Sequence, residues 1–153
     1  GMAMSWPDAS ATPQEVIDRF GLEPLAIEGG WWGTIERTAA GNGIWFLMTR
    51  DGDGFSTRHR LSVTETWTWL AGAPASMLLL SDASRDVTLD AARPGVVVEP
   101  GTWQGASTLG DWTLVACWCV PAFTDDCFEL GARADLTARH PELAGRITEL
   151  TRS

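Results

Sequence analysis

The chain contains no tyrosine and no lysine, so all eleven basic residues are arginine. Chemistry that needs a Schiff-base lysine or a tyrosine proton donor is therefore excluded, unless a partner chain supplies the group. Histidine is scarce as well. Only His59 and His140 occur, too few for a metal site built from three histidines of one chain. No apolar run has the length of a membrane-spanning helix and no basic-then-apolar leader is present, so the expectation is a cytoplasmic protein with no membrane partner. The net charge of -9, without a basic cluster, argues against nucleic acid as a partner, because phosphate binding needs a concentrated positive surface. Cys117, Cys119 and Cys127 form no CxxC pair. In an extended "LVACWCV" the first two share a face and read as small buried hydrophobes. A soft metal site shared with Cys127 would need a further ligand that the sequence does not place.

What the chain does have is tryptophan, nine in 153 residues, which points to buried or pocket-lining indoles. The length suits one domain with a single substantial core, taken as residues 12–150. Residues 1–11 form a tail, in which Gly1 before Met2 reads as an expression scar. "TPQEVIDRFG", residues 12–21, is a helix signature. Thr12 can cap, Pro13 suits the first helical position, Glu15 completes a capping box, and Gly21 ends the helix. Val16, Ile17 and Phe20 form its apolar face. Then come short apolar runs ("GIWFLM", "VTETWTWL", "SMLLL", "GVVV", "WTLVACWCV") broken by "RDGDG", "AGAP", "SDASRD" and "EPG". Many short strands with Gly, Pro and Asp between them predict an all-β sandwich or barrel. Helical spacing returns in "DLTARHPELAGRITELT", where His140 sits at the entry as a surface or capping residue.

The segment "STRHRLSVTETWTWLAG", residues 56–72, concentrates the chemistry. Read as one extended run, it puts His59, Leu61, Val63, Glu65, Trp67 and Trp69 on one face and Thr64, Thr66 and Thr68 on the other. The spacing from His59 through Glu65 to Gly72 resembles the first cupin motif, and "GVVVEPGTWQGA" resembles the second, with Gln104 where a histidine ligand is usual. With the flanks "LEPLAIEGGWWGTIERT", "IWFLMTRDGDGF" and "WTLVACWCVPAFTDDCFELG", the chain resembles the cupin-5 family from about Thr12 to Leu150. The resemblance implies a double-stranded β-helix, or jelly roll, with a short N-terminal helix and a C-terminal helical segment, paired into a homodimer. It also implies an architecture shared with deoxysugar epimerases and metal-dependent oxygenases. Ala26 and Ile27 stand where the family has His-Pro, and Thr64 and Thr68 where it has Asp and His around the acid.

Three site readings follow. A metal-dependent enzyme would use His59, Glu65 and Gln104, a donor set poor for iron or zinc, so no metal cofactor is expected. A metal-independent epimerase or isomerase would use His59 as base, oriented by Glu65, with Glu28 replacing the missing tyrosine as proton donor. A binding module asks least: Trp67, Trp69 and Trp103 line a barrel mouth, while His59, Glu65 and Gln104 orient a small polar or sugar-like ligand. Arg58 and Arg60 would meet an anionic group on it. The bland alternative is a filled barrel in which Glu65 is buried and satisfied. "EGG" at 28–30 reads as a bend where two strands approach. The reading adopted is the binding module, with His59, Glu65 and Gln104 expected to converge on the barrel interior.

Overall fold

The computed structural model describes residues 6–25, 29–50 and 56–130, the side chains of 56–59 and 130 excepted. The expected C-terminal helix, His140 and Glu28 lie outside these residues. Helix α1 (Pro13–Phe20) forms as its sequence dictates: Thr12 accepts a hydrogen bond from the Glu15 amide, and Gly21 closes the helix in a left-handed conformation.

Eleven strands follow: β1 (Glu23–Pro24), β2 (Trp31–Thr38), β3 (Gly41–Thr49), β4 (Ser56–Leu61), β5 (Thr64–Gly72), β6 (Ala75–Leu80), β7 (Ser84–Leu89), β8 (Gly95–Val98), β9 (Trp103–Thr108), β10 (Trp112–Val120) and β11 (Phe128–Leu130). They form two sheets, ordered β1-β2-β3-β10-β5-β8 and β11-β4-β9-β6-β7, with every pairing antiparallel. This is a jelly roll. Segment 56–72 is not one strand. It bends at Ser62 and Val63, so that β4 lies in the second sheet and β5 in the first.

The two inner faces share one apolar cluster, to which Phe46, Met48, Trp67, Met77, Leu79, Val96, Val98, Ala106, Val115 and Cys117 all belong. Successive side chains alternate faces, so these residues define which positions point inward. On the outside of the first sheet, α1 covers a second cluster through Val16, with Leu47, Ala71, Trp112 and Leu114 beneath it and Phe20 and Trp45 at its margin. The Trp112 indole donates to the Ala11 carbonyl at 2.6 Å, tying the segment before α1 to β10.

Two glycine sites show why the chain turns where it does. Gly29 and Gly30 adopt φ of 85° and 79° at the entry to β2, and a Cβ at Gly30 would lie 2.8 Å from the Leu47 carbonyl oxygen. Gly72, at the end of β5, has φ 90°, and a Cβ there would lie 2.5 Å from both the ring and the backbone oxygen of Trp112. Gly72→Ala therefore meets a backbone penalty and a clash that backbone cannot evade. The expected loss is at least about 2 kcal/mol, seen as a fall in Tm of at least about 4 °C in thermal melts. An unchanged Tm would show that this junction is not close-packed.

Candidate functional site

Two polar side chains of the interior, Glu65 and Gln104, lie at the same end of the barrel. Glu65 is the second residue of β5 and pairs with Val98, the last residue of β8. The chain then crosses between sheets through residues 99–102 and enters β9, where Gln104 is the second residue. The Gly101 amide donates to the Leu61 carbonyl at 2.8 Å, fastening this crossing to the end of β4. Gln104 pairs with Leu79 on one side and His59 on the other. It shares parity with Ala106 and sits opposite Leu79, both members of the inner cluster, so its side chain faces inward. Glu65 shares parity with Trp67 and faces inward by the same argument.

Glu65 is buried at 7% exposure and both of its oxygens have donors. The Trp67 indole N–H donates to Oε1 at 2.8 Å, and the Cys119 thiol donates to Oε2 at 3.4 Å. The first contact follows from parity two residues apart on one strand, the second from the register that sets Cys119 opposite Glu65. A buried carboxylate needs such donors. Gln104 is the opposite case. It is 0% exposed, and neither its amide nitrogen nor its carbonyl oxygen has a hydrogen-bond partner among the described residues.

The expected site residues separate accordingly. Glu65 and Gln104 share the interior at one end. The backbone of His59 lies directly across from Gln104, and its side chain, like that of Arg58, is outside the described residues. Trp67 is 2% exposed and packs edge-on against Phe46 with centroids 5.8 Å apart. Its ring thus fills the barrel instead of offering a stacking face, and its indole N–H serves Glu65. Trp69 is half-buried at the margin of the inner cluster and donates to the Ala73 carbonyl. Trp103 and Arg60 have outward parity: the Arg60 guanidinium lies 4.5 Å above the Trp103 ring and pairs with Glu129 at 2.6 Å. That pair holds β4, β9 and β11 together on the outer face, so neither residue lines the barrel mouth.

Cys119 is the functional neighbour that sequence reasoning missed. Parity marked it as inward, but only the β10–β5 register places it on Glu65. It belongs to a small cluster with Leu61 and Val63, against which Phe123, Cys127 and Phe128 pack. Hydrogen bonding from Thr124 holds the Cys127 thiol below its ordinary pKa.

A family model described as Cupin superfamily (DUF985) matches residues 14–131. The chain belongs to this cupin-5 family. A hypothetical protein from Leishmania major superposes on this cupin with a TM-score of 0.84 at 24% identity, over 94% of this chain and 100% of that one. A protein from Shewanella oneidensis gives 0.80 at 28% identity, over 93% and 98%. Oxalate decarboxylase from Bacillus subtilis shares the fold alone, with a TM-score of 0.60 at 9% identity over 86% and 37%. No curated protein matches the sequence.

The described residues at this end of the barrel do not make a donor set for a tightly held transition metal. An amide replaces a histidine at Gln104, the neighbouring inward position on β4 is the apolar Leu61, and the Glu65 oxygens already serve Trp67 and Cys119. The described residues contain no cluster of three His, Cys, Asp or Glu side chains. The Trp67–Glu65 contact is testable by a double-mutant cycle of Trp67→Phe and Glu65→Leu. Denaturant melts are expected to give an interaction energy of about 1–3 kcal/mol. No coupling would show that indole and carboxylate do not meet.

Proposed function

We propose that this cupin recognises a small polar or sugar-like molecule inside its barrel, at the end marked by Gln104 and Glu65. The observation that supports it is the Gln104 amide, fully buried, facing inward and without a partner among the described residues. Leaving such a group unsatisfied costs about 1–3 kcal/mol, and a bound molecule that supplies the partners removes that cost. His59, across the strand pair, is the second residue proposed to meet the ligand. An isomerase is the second reading, favoured by the thiol–carboxylate contact of Cys119 and Glu65, a pair through which a proton can pass. The test is Gln104→Leu. In the absence of ligand it is expected to raise stability by up to about 2 kcal/mol, because an apolar side chain of similar size needs no partner. It should also abolish any binding found by screening the wild type. A loss of stability would show that Gln104 is satisfied, and the reading would fall.

The same reading takes the protein as a homodimer. On the outer face of the first sheet α1 covers one half, and the other half carries Trp118, Val97 and Val120 at 38%, 49% and 60% exposure. Thr66 lies between Trp118 and Val97 in register, and Thr64 lies beside Val120. Across β10, β5 and β8 these rows contain no ionisable group in a chain of net charge -9; on the β2 side Glu36 shares the Trp118 row through Gly43. Two copies repel wherever acidic surfaces meet, so an uncharged apolar face is where a second copy can approach. Sedimentation is expected to give twice the 16.6 kDa chain mass, and Trp118→Arg to give monomer. A monomeric wild type would refute the dimer.

A further inference from the structure

We infer that the molecule received by Gln104 presents a single uncharged amide edge, a carboxamide or lactam, on an otherwise apolar body. The inference rests on the reading of the barrel as a binding site and narrows its ligand.

The first observation is what Gln104 offers. Its carbonyl accepts and its NH2 group donates, side by side in one plane, and neither atom is in use among the described residues. The group that completes both at once is another planar edge with a donor beside an acceptor. A vicinal diol can pair with both atoms too, but each of its hydroxyls donates once and accepts twice, so donor and acceptor sites are left over. Burying several of them requires several free partners.

The second observation is that the described interior has few free partners to give. Both Glu65 oxygens accept from Trp67 and Cys119. The Thr113 hydroxyl, at the other end of the barrel, is engaged with Thr108 and with the carbonyls of Ala73 and Pro74. The other inward side chains belong to the apolar core cluster of Phe46, Met77, Leu79, Val96 and their neighbours. A sugar would leave hydroxyls buried without partners; a lactam, with one N–H beside one carbonyl, would not.

The third is charge. The described interior carries one carboxylate and no cation. Arg60 turns outward to Glu129 and Trp103, Arg37 donates to the Phe123 carbonyl, Arg50 pairs with Asp111 at the surface, and Arg85 and Arg93 are exposed. A carboxylate or phosphate ligand would enter beside Glu65 with nothing among these residues to neutralise it.

The test compares 2-pyrrolidinone and 2-piperidinone, two lactams, with succinate, a small dianion, and with D-glucose. Each is titrated against the full chain by ligand-observed NMR, and the protein is crystallised with and without 2-pyrrolidinone. The lactams are expected to bind saturably, to lose binding in Gln104→Leu, and to bind at least ten-fold more weakly to Gln104→Glu, which lacks the NH2 donors. Succinate and glucose should not bind. Gln104-dependent binding of glucose or succinate in place of the amides would overturn the ligand class while leaving the binding site standing. If no probe binds, and density beside the Gln104 amide shows only an ordered water or a protein partner, the ligand class and the binding reading both fall.

Discussion

Strand β10 is the element on which the rest of the molecule depends, because it is buried on both faces. It pairs with β3 along one edge and β5 along the other. Its inward residues Val115 and Cys117 join the barrel cluster, and its outward residues Trp112 and Leu114 lie under α1. A strand covered on both sides reads as a near-continuous apolar run, which is the character of "WTLVACWCV". Burial relents only at Trp118 and Val120, where α1 no longer covers the sheet.

The same strand sets the electrostatics of the candidate site. Its register with β5 brings Cys119 to Glu65, while alternation along β5 itself brings Trp67 to the same carboxylate. Glu65 is thus held by its own sheet. Gln104 enters from the facing sheet at the same end of the barrel, among apolar neighbours, with no described partner. One barrel end therefore contains an acid whose oxygens both have donors and an amide without a partner among the described residues. The aromatic residues divide along similar lines. Trp67 is core, whereas Trp103 belongs to an outer-face assembly with Arg60 and Glu129.

Much of this was legible from residues alone. The α1 boundaries followed from Thr12, Pro13 and Gly21, because capping is local chemistry that a few neighbouring residues decide. The inward parity of Glu65 and Trp67 followed from alternation, and the jelly roll from many short strands together with the cupin-like motifs. What misled was also specific. Residues 56–72 alternate through the bend at Ser62 and Val63, because a chain that passes from one inner face to the facing one keeps burying alternate residues. Trp103 and Arg60 sit beside inward positions in sequence and point the other way, and nothing local distinguishes an outer-face tryptophan from a pocket tryptophan.

The sequence by itself determined the strand-rich architecture, the helix and its caps, and the exclusion of lysine and tyrosine chemistry. Those depend on composition and on interactions spanning a few residues. Only the tertiary structure decided that Cys119 serves Glu65, that Gln104 has no partner among the described residues, and that Trp103 faces away from the barrel. Each of these depends on which strands pair and in what register, and register is set by the joint burial of residues 54 positions apart, as Glu65 and Cys119 are. No local pattern carries that information.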